Sequence, residues 1–307
     1  MNQNTLFITY FTDWIETYKR NAVRPVTYRK YMTTLKRLTE IAPKLTFSIL
    51  DRHAYQSILN TYAETHERQT TLDFHHHLRA ALLDAIDDGL LEHDPTRKAV
   101  AKGIERNRNK VNYLNLSQLQ SLLTVLELDG EISWDHFIFL LVKTGLRFAE
   151  ALGLTPSDLD IDKHMVSVLK TWDYKSTSPG FAPTKNESSK RTISLDRQTV
   201  GLIQKVTQFL AMDQPIFVRP GHRVFNEIVN SRLRHLCEAA GIPRITIHGL
   251  RHTHASILLY AGVSVASVAR RLGHANITTT QKTYLHIIKE LENQDNDKII
   301  RCLDALA

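Results

Sequence analysis

Little in this 307-residue chain points to an extracellular or membrane setting. Cysteine occurs only at Cys237 and Cys302, without the spacing of a metal site, so both thiols read as reduced structural residues. No apolar run approaches the ~20 residues that cross a bilayer. The opening Met1-Asn2-Gln3-Asn4 lacks the basic and apolar regions of a secretion signal. No internal repeat and no low-complexity segment is seen. These absences exclude a disulfide scaffold, a membrane protein and a repeat array. They place the expected site of action in the cytoplasm. What is present is an ordinary soluble composition, 42% hydrophobic and 23% charged, with a net charge of +7. The excess favours an anionic partner.

The hydrophobic periodicity predicts a mostly helical α+β chain. Residues 5–20, 26–41, 51–64 and 69–88 read as helices, the last ended by Gly89, with no strand signal. They form an expected helical domain over 1–95. A basic interdomain linker is expected over 96–113, where Lys98, Lys102, Arg106, Arg108 and Lys110 crowd together. Solvated cations or phosphate contacts both fit that stretch. A second domain is expected over 114–286. Its predicted helices cover 117–128 with Ser117 as N-cap, 134–144, 147–153, 197–212, 224–240, 248–260, 264–272 and 278–284. One small antiparallel sheet is expected from strands at 165–169 and 192–195. An amphipathic tail helix is expected over 287–307.

The chemistry-bearing residues lie in the second domain. Arg147 follows Thr144-Gly145-Leu146, a helix-turn signal that brings a side chain to a cleft. Arg251 lies one turn after His248 in His248-Gly249-Leu250-Arg251-His252, so the two share a helix face. Two guanidinium forks can hold both non-bridging oxygens of a phosphate and stabilise charge in the transition state. His248 and His252 are spaced i, i+4, as metal ligands can be, but no HExxH pattern or nearby carboxylate completes a metal set. No metal is therefore expected. His248 and His274 fit phosphate hydrogen-bond donors or proton handlers. His75, His76 and His77 read as a solvated helix face. Tyr284 is the candidate nucleophile. Its phenol, with an ordinary pKa of roughly 10, must lose a proton as it attacks. Lys185 sits on a stretch read as the polar tip of a hairpin, where it can protonate a departing 5′ oxygen; Lys175 and Lys190 are its rivals.

These motifs, in this order, resemble the tyrosine recombinases, or phage integrase family. Thr144-Gly145-Leu146-Arg147-Phe148-Ala149-Glu150 is similar to the family's first arginine box, and His248 to Ala255 to its second. Leu272-Gly273-His274 and Thr283-Tyr284 complete the set. The resemblance implies that Tyr284 attacks a DNA phosphate to form a 3′-phosphotyrosine and release a 5′ hydroxyl. It implies that Arg147, Arg251, His248 and His274 surround that phosphate, Lys185 is the general acid and Glu150 supports Arg147. It implies no cofactor, since the covalent ester conserves the bond energy. The first domain is similar to the family's core-binding domain, with Lys19, Arg24, Arg29 and Lys30 as phosphate contacts. Two domains joined by a basic linker would clamp double-stranded DNA, and four protomers would act on two duplexes. DNA-bending or directionality proteins are the further partners implied, and the tail is similar to one that docks on a neighbouring protomer. Gly249 stands where many members carry Asp, and Ser194 where Pro is frequent. The wording of the motifs favours a mobile-element integrase. The chain opens almost directly with the core-binding helices, so no arm-binding domain is expected. Resolution of chromosome dimers or elements, a type IB topoisomerase and a non-catalytic DNA-binding regulator are the alternatives.

Overall fold

Hydrophobic periodicity and capping chemistry set most of the elements seen in the computed structural model, which describes residues 2–105, 112–219 and 221–284. The chain divides into two compact units, Met1–Asn109 and Lys110–Ala307.

In the first unit, α1 (Phe7–Tyr18) buries Phe7, Tyr10, Phe11, Trp14 and Ile15 along one stripe. Helix α2 (Pro25–Ile41) starts on a proline, whose fixed φ suits a first helical turn. Asp51 caps α3 (Arg52–Ala63) by accepting from the amide of Ala54. Helix α4 (Arg68–Asp87) runs through the unit. Trp14 and Tyr10 of α1 donate to Asp84 and Asp88 at its C-terminal end, at 2.6 and 2.9 Å. The histidine triplet is not a solvated face. His75 Nδ1 lies 2.9 Å from the Tyr55 hydroxyl and His77 Nδ1 lies 2.8 Å from Thr34 Oγ1, so α4 is joined to α3 and α2 through them; only His76 is exposed.

Part of the expected linker is fastened to this unit. Gln56 exchanges two hydrogen bonds with the backbone of Val100, both 2.9 Å, and the Ile104 amide donates to the His66 carbonyl at 2.9 Å. Lys98 and Lys102 are exposed on this segment. Arg106 and Arg108 lie outside the described residues, as does the tail at 287–307.

The second unit opens with α5 (Leu116–Thr124). Its N-cap is Asn115 rather than Ser117, because Asn115 and Gln118 exchange side-chain-to-backbone bonds at 2.9 and 3.0 Å. Helix α6 (Trp134–Thr144) is apolar on every side and buried from Asp135 to Val142, as an all-round apolar pattern requires. It packs against α10 (Ile247–Tyr260). A short α7 (Phe148–Leu152) precedes the strands.

Two small antiparallel sheets, rather than one, are present among the described residues. Strands β1 (Leu159–Asp160), β2 (Met165–Val168) and β5 (Arg191–Ser194) form the first, with Val166 opposite Ile193; both are buried in the core. Strands β3 (Lys170–Trp172) and β4 (Phe181–Pro183) form the second. The expected hairpin around Lys185 does not form, because β4 pairs back to β3 while β5 pairs with β2. Helices α8 (Arg197–Thr207) and α9 (Asn226–Ala239) then complete the core, with Cys237 buried in α9. Helices α11 (Val265–Leu272) and α12 (Ile277–Thr283) follow. Val268, Leu272 and Tyr284 make a separate small apolar cluster with Ala255 and Leu259 of α10. Among the described residues, no helix is long and apolar enough to cross a membrane.

Candidate active site

Two helix ends frame the site. Helix α6 ends on Gly145, with φ +66°, and α11 ends on Gly273, with φ +67°. Both turns need glycine for space as well as for backbone hand. A Cβ at Gly145 would lie 2.6 Å from the His254 ring, and one at Gly273 would lie 2.9 Å from Arg191. The last carbonyls of a helix have no partner within it and carry partial negative charge. Here arginines supply the partners. Arg251 donates to the Gly145 carbonyl at 2.7 Å and to the Leu272 carbonyl at 2.6 Å, so one guanidinium joins the ends of α6 and α11. Arg147 donates to the Gly273 carbonyl at 2.9 Å.

Glu150 organises the other side. Its carboxylate is 2% exposed and accepts from Arg147 at 2.6 Å and from Arg191 at 2.9 Å, and also from the Arg147 amide. Burial alone would raise its pKa, but Arg191 and Arg147 outweigh that and hold it below the ordinary carboxylate value. Arg191 is anchored in turn by the carbonyls of Arg271 and Ser189, at 2.6 and 2.9 Å. Behind these groups, Arg271 donates to His254 Nε2 at 2.9 Å and to the carbonyls of Ser194 and Lys143. His254 Nδ1 lies 2.8 Å from the Val142 carbonyl. Burial, followed by Arg271, pushes His254 down to about 3, so this ring is a neutral strut.

Arg251, the histidines and Tyr284 reflect that crowding. Burial and then the neighbouring Arg147 lower Arg251 to about 9, which still leaves it charged at neutral pH. His274 is lowered to about 4 by burial and then by Arg251, Arg147 and Arg191. It is therefore neutral, and its Nδ1 lies 2.6 Å from the buried Thr280 hydroxyl, which leaves Nε2 for a ligand. His248 is exposed at the start of α10, yet partial desolvation, then Arg251 and Arg147, lowers its pKa. Tyr284 is 2% exposed, and burial raises its phenol to about 12 against the opposing pull of Arg251. Its hydroxyl lies 2.9 Å from His252 Nδ1.

Arg147, Glu150, His248, Arg251, His274 and Tyr284 are thus linked through direct bonds or mutual fields. Lys185 lies on the exposed stretch between β4 and the turn Glu187–Ser189, six residues before Arg191 joins the cluster. Its rival Lys190 pairs with Glu187 at 3.0 Å, and Lys175 lies over the Tyr174 ring. Two members escaped the sequence reading. Arg191 had a signal in strand alternation, since it shares a sheet face with the buried Ile193. His252 was weighed only as a metal ligand; its ring lies 4.7 Å from that of His248, and no metal-binding group of three or more His, Cys, Asp or Glu occurs among the described residues. The unusual Gly249 has a spatial reason: a Cβ there would meet Asn112 atoms at 2.7 Å, and Asn112 is bonded to Thr246, the N-cap of α10. No feature accounts for Ser194.

The sequence model of the phage integrase family matches residues 112–290, a span that contains the whole cluster. The chain belongs to the phage integrase family. Among similar members, the integrase of Staphylococcus phage L54a is 24% identical over 67% of this chain and 64% of its own length. The transposase of transposon Tn916 from Enterococcus faecalis is 24% identical over 87% of this chain and 72% of its own. This integrase-family chain spans less than two thirds of two curated relatives, 64% of the L54a integrase and 61% of the ICEBs1 integrase of Bacillus subtilis. The fold is shared with the Tn1549 transposon integrase, solved in complex with a circular intermediate DNA, at a TM-score of 0.76 and 18% identity over 90% of this chain and 94% of that one. It is shared also with lambda integrase, solved as a dimer bound to a core site, at 0.65 and 16% identity over 89% and 75%.

Proposed function

We propose that this chain is a site-specific DNA recombinase of a phage or other mobile element. Tyr284 attacks the scissile phosphate, its Oη bonds to phosphorus, and the 5′ oxygen leaves, which yields a 3′-phosphotyrosine. The observation that carries this reading is a buried tyrosine hydroxyl that lies 2.9 Å from His252 of α10 and within the field of Arg251 on the same helix. Arg251 and Arg147 are held by helix-end carbonyls and Glu150, and each retains further N–H groups for phosphate oxygens. Neutral His274 and His248 donate hydrogen bonds there, and Lys185 protonates the departing 5′ oxygen. The ester conserves the energy of the broken bond, so the cycle needs neither nucleotide nor metal.

Double-stranded DNA is the partner, with Lys19, Arg24, Arg29, Lys30, Lys98, Lys102, Arg106 and Arg108 contributing phosphate contacts. Four protomers act on two duplexes, with DNA-bending or directionality proteins as accessories, in the cytoplasm. The L54a and Tn916 relatives, named as an integrase and a transposase, support the mobile-element assignment. The test uses nicked duplexes cut from the DNA that flanks the encoding gene, in the presence of chelator. A protein–DNA adduct that survives denaturation is expected from the unaltered chain. Supercoil relaxation without recombinant product, or binding without cleavage, would replace this reading.

A further inference from the structure

We propose that His252 is the proton acceptor for Tyr284, a role that rests on the recombinase reading above. The phenol must shed a proton as it attacks. Tyr284 is almost wholly buried, so bulk water has poor access to that proton. His252 Nδ1 lies 2.9 Å from the hydroxyl, inside the range for direct transfer.

The neighbouring groups are poorly suited to the task. Arg147, Arg191 and Arg251 carry no acceptor. Both oxygens of Glu150 are engaged by Arg147 and Arg191. His274 Nδ1 is engaged with Thr280. His248 stands edge-on to His252 with ring centres 4.7 Å apart, on the exposed side of α10. Burial, then His248 and Arg251, lowers His252 to about 4, so the imidazole is neutral at rest and has one nitrogen able to accept. In the tautomer this role requires, the neutral phenol donates to Nδ1 and the imidazole proton sits on Nε2.

The charged and titratable groups around His252 are His248 and Arg251 on its own helix, His274 beyond α11 and Tyr284 beyond α12. A bound phosphate would offset the arginine charge that disfavours protonation of His252, so the ring becomes more basic as substrate arrives. In the step itself the Oη–P bond forms and the P–O5′ bond breaks. The phenolic proton moves to Nδ1 and leaves an imidazolium, while the 5′ oxygen takes its proton from Lys185. On rejoining, His252 returns the proton to the departing phenolate.

The experiment compares unaltered protein, His252→Ala, His252→Gln and Tyr284→Phe on the nicked flanking duplexes, with DNA binding measured beside adduct formation. Loss of a general base slows such a step by about 100-fold or more, and that loss is expected for His252→Ala with binding retained. The residual rate of His252→Ala is expected to climb from pH 7 to 9 more steeply than that of the unaltered chain. Fluorotyrosine at position 284, a readier acid, is expected to shrink the gap between the two; a purely structural histidine would leave that gap unchanged. Should His252→Ala lose DNA binding, His252→Gln takes its place, since the amide oxygen accepts a hydrogen bond yet takes up no proton. Equal rates with and without His252, in protein that Tyr284→Phe inactivates, would overturn this role and leave the recombinase reading standing. An adduct that persists in Tyr284→Phe overturns the reading itself, and this inference with it.

Discussion

The positive charges of the two units are held in different ways. In the first unit, Lys19 rests 4.2 Å from the Trp14 ring, Lys30 is 3.9 Å from a half-buried Asp73, and Arg29 is exposed. In the second unit, Arg251 is 4% exposed and the Arg191 side chain 7%, and each is fixed by two backbone carbonyls. A net charge of +7 counts both sets alike. The first set can add attraction to a polyanion without fixed geometry. The second is already oriented before any anion arrives, which is the arrangement that favours charge stabilisation in a transition state.

The largest test of this contrast is Tyr284→Phe. It keeps the ring in the apolar cluster with Leu272 and Val268 and removes only the hydroxyl. Adduct formation should fall below detection on a denaturing gel, with little change in melting temperature. Next is Glu150→Ala, which leaves Arg191 buried without its carboxylate. It should cost about 3–5 kcal/mol by urea unfolding, as loss of one partner from a buried ion pair does. An effect as small as that of a surface charge would erase the distinction between the two sets.

Acidification should act on the second unit more gradually. His252, His254 and His274 have folded pKa values of about 4, 3 and 4, all depressed from the ordinary 6.5. Below pH 6.5 the unfolded chain binds protons that the folded chain does not. The stability these rings contribute is therefore complete above pH 6.5 and is lost as pH falls toward 4 and then 3. Unfolding midpoints measured from pH 7 to 4 should show it, with a shallower fall in His254→Gln. The smallest effect is expected from Arg29→Ala: under ~0.5 kcal/mol of stability, with the salt slope of DNA binding reduced by about 1.

Helices carrying long apolar stripes were legible in the sequence. The predicted 134–144 coincides with α6, and the predicted 248–260 misses α10 by one residue. The spacing and order of the motifs also singled out Arg147, His248, Arg251, His274 and Tyr284, and the structure brings these side chains together. The β3–β4 hairpin was not. Its strands are three residues each, too short to display alternation, and its tip is the turn-rich stretch that masked them. The pairing of β5 with β2 agrees with the sheet expected from 165–169 and 192–195, whereas the hairpin expected around Lys185 missed a tertiary choice, in which β4 turns back to β3 and β5 joins β2. That choice carries Arg191 to Glu150, a contact across 41 positions that local pattern does not encode. The His75–His77 triplet was misread for a related reason: side chains on neighbouring helices turned two of the rings into connectors.

Arg251 ties the ends of two helices together, and in the proposed mechanism it also faces the scissile phosphate. Purifying selection for a folded protein alone would retain it. On the proposed mechanism, a decayed copy of this gene that had lost its tyrosine, and with it all cutting, would still be under pressure to keep its arginine as long as the protein was useful folded. In a genome, then, the proposed mechanism would make the arginine motif a mark of ancestry and the tyrosine the mark of a gene whose product still cuts.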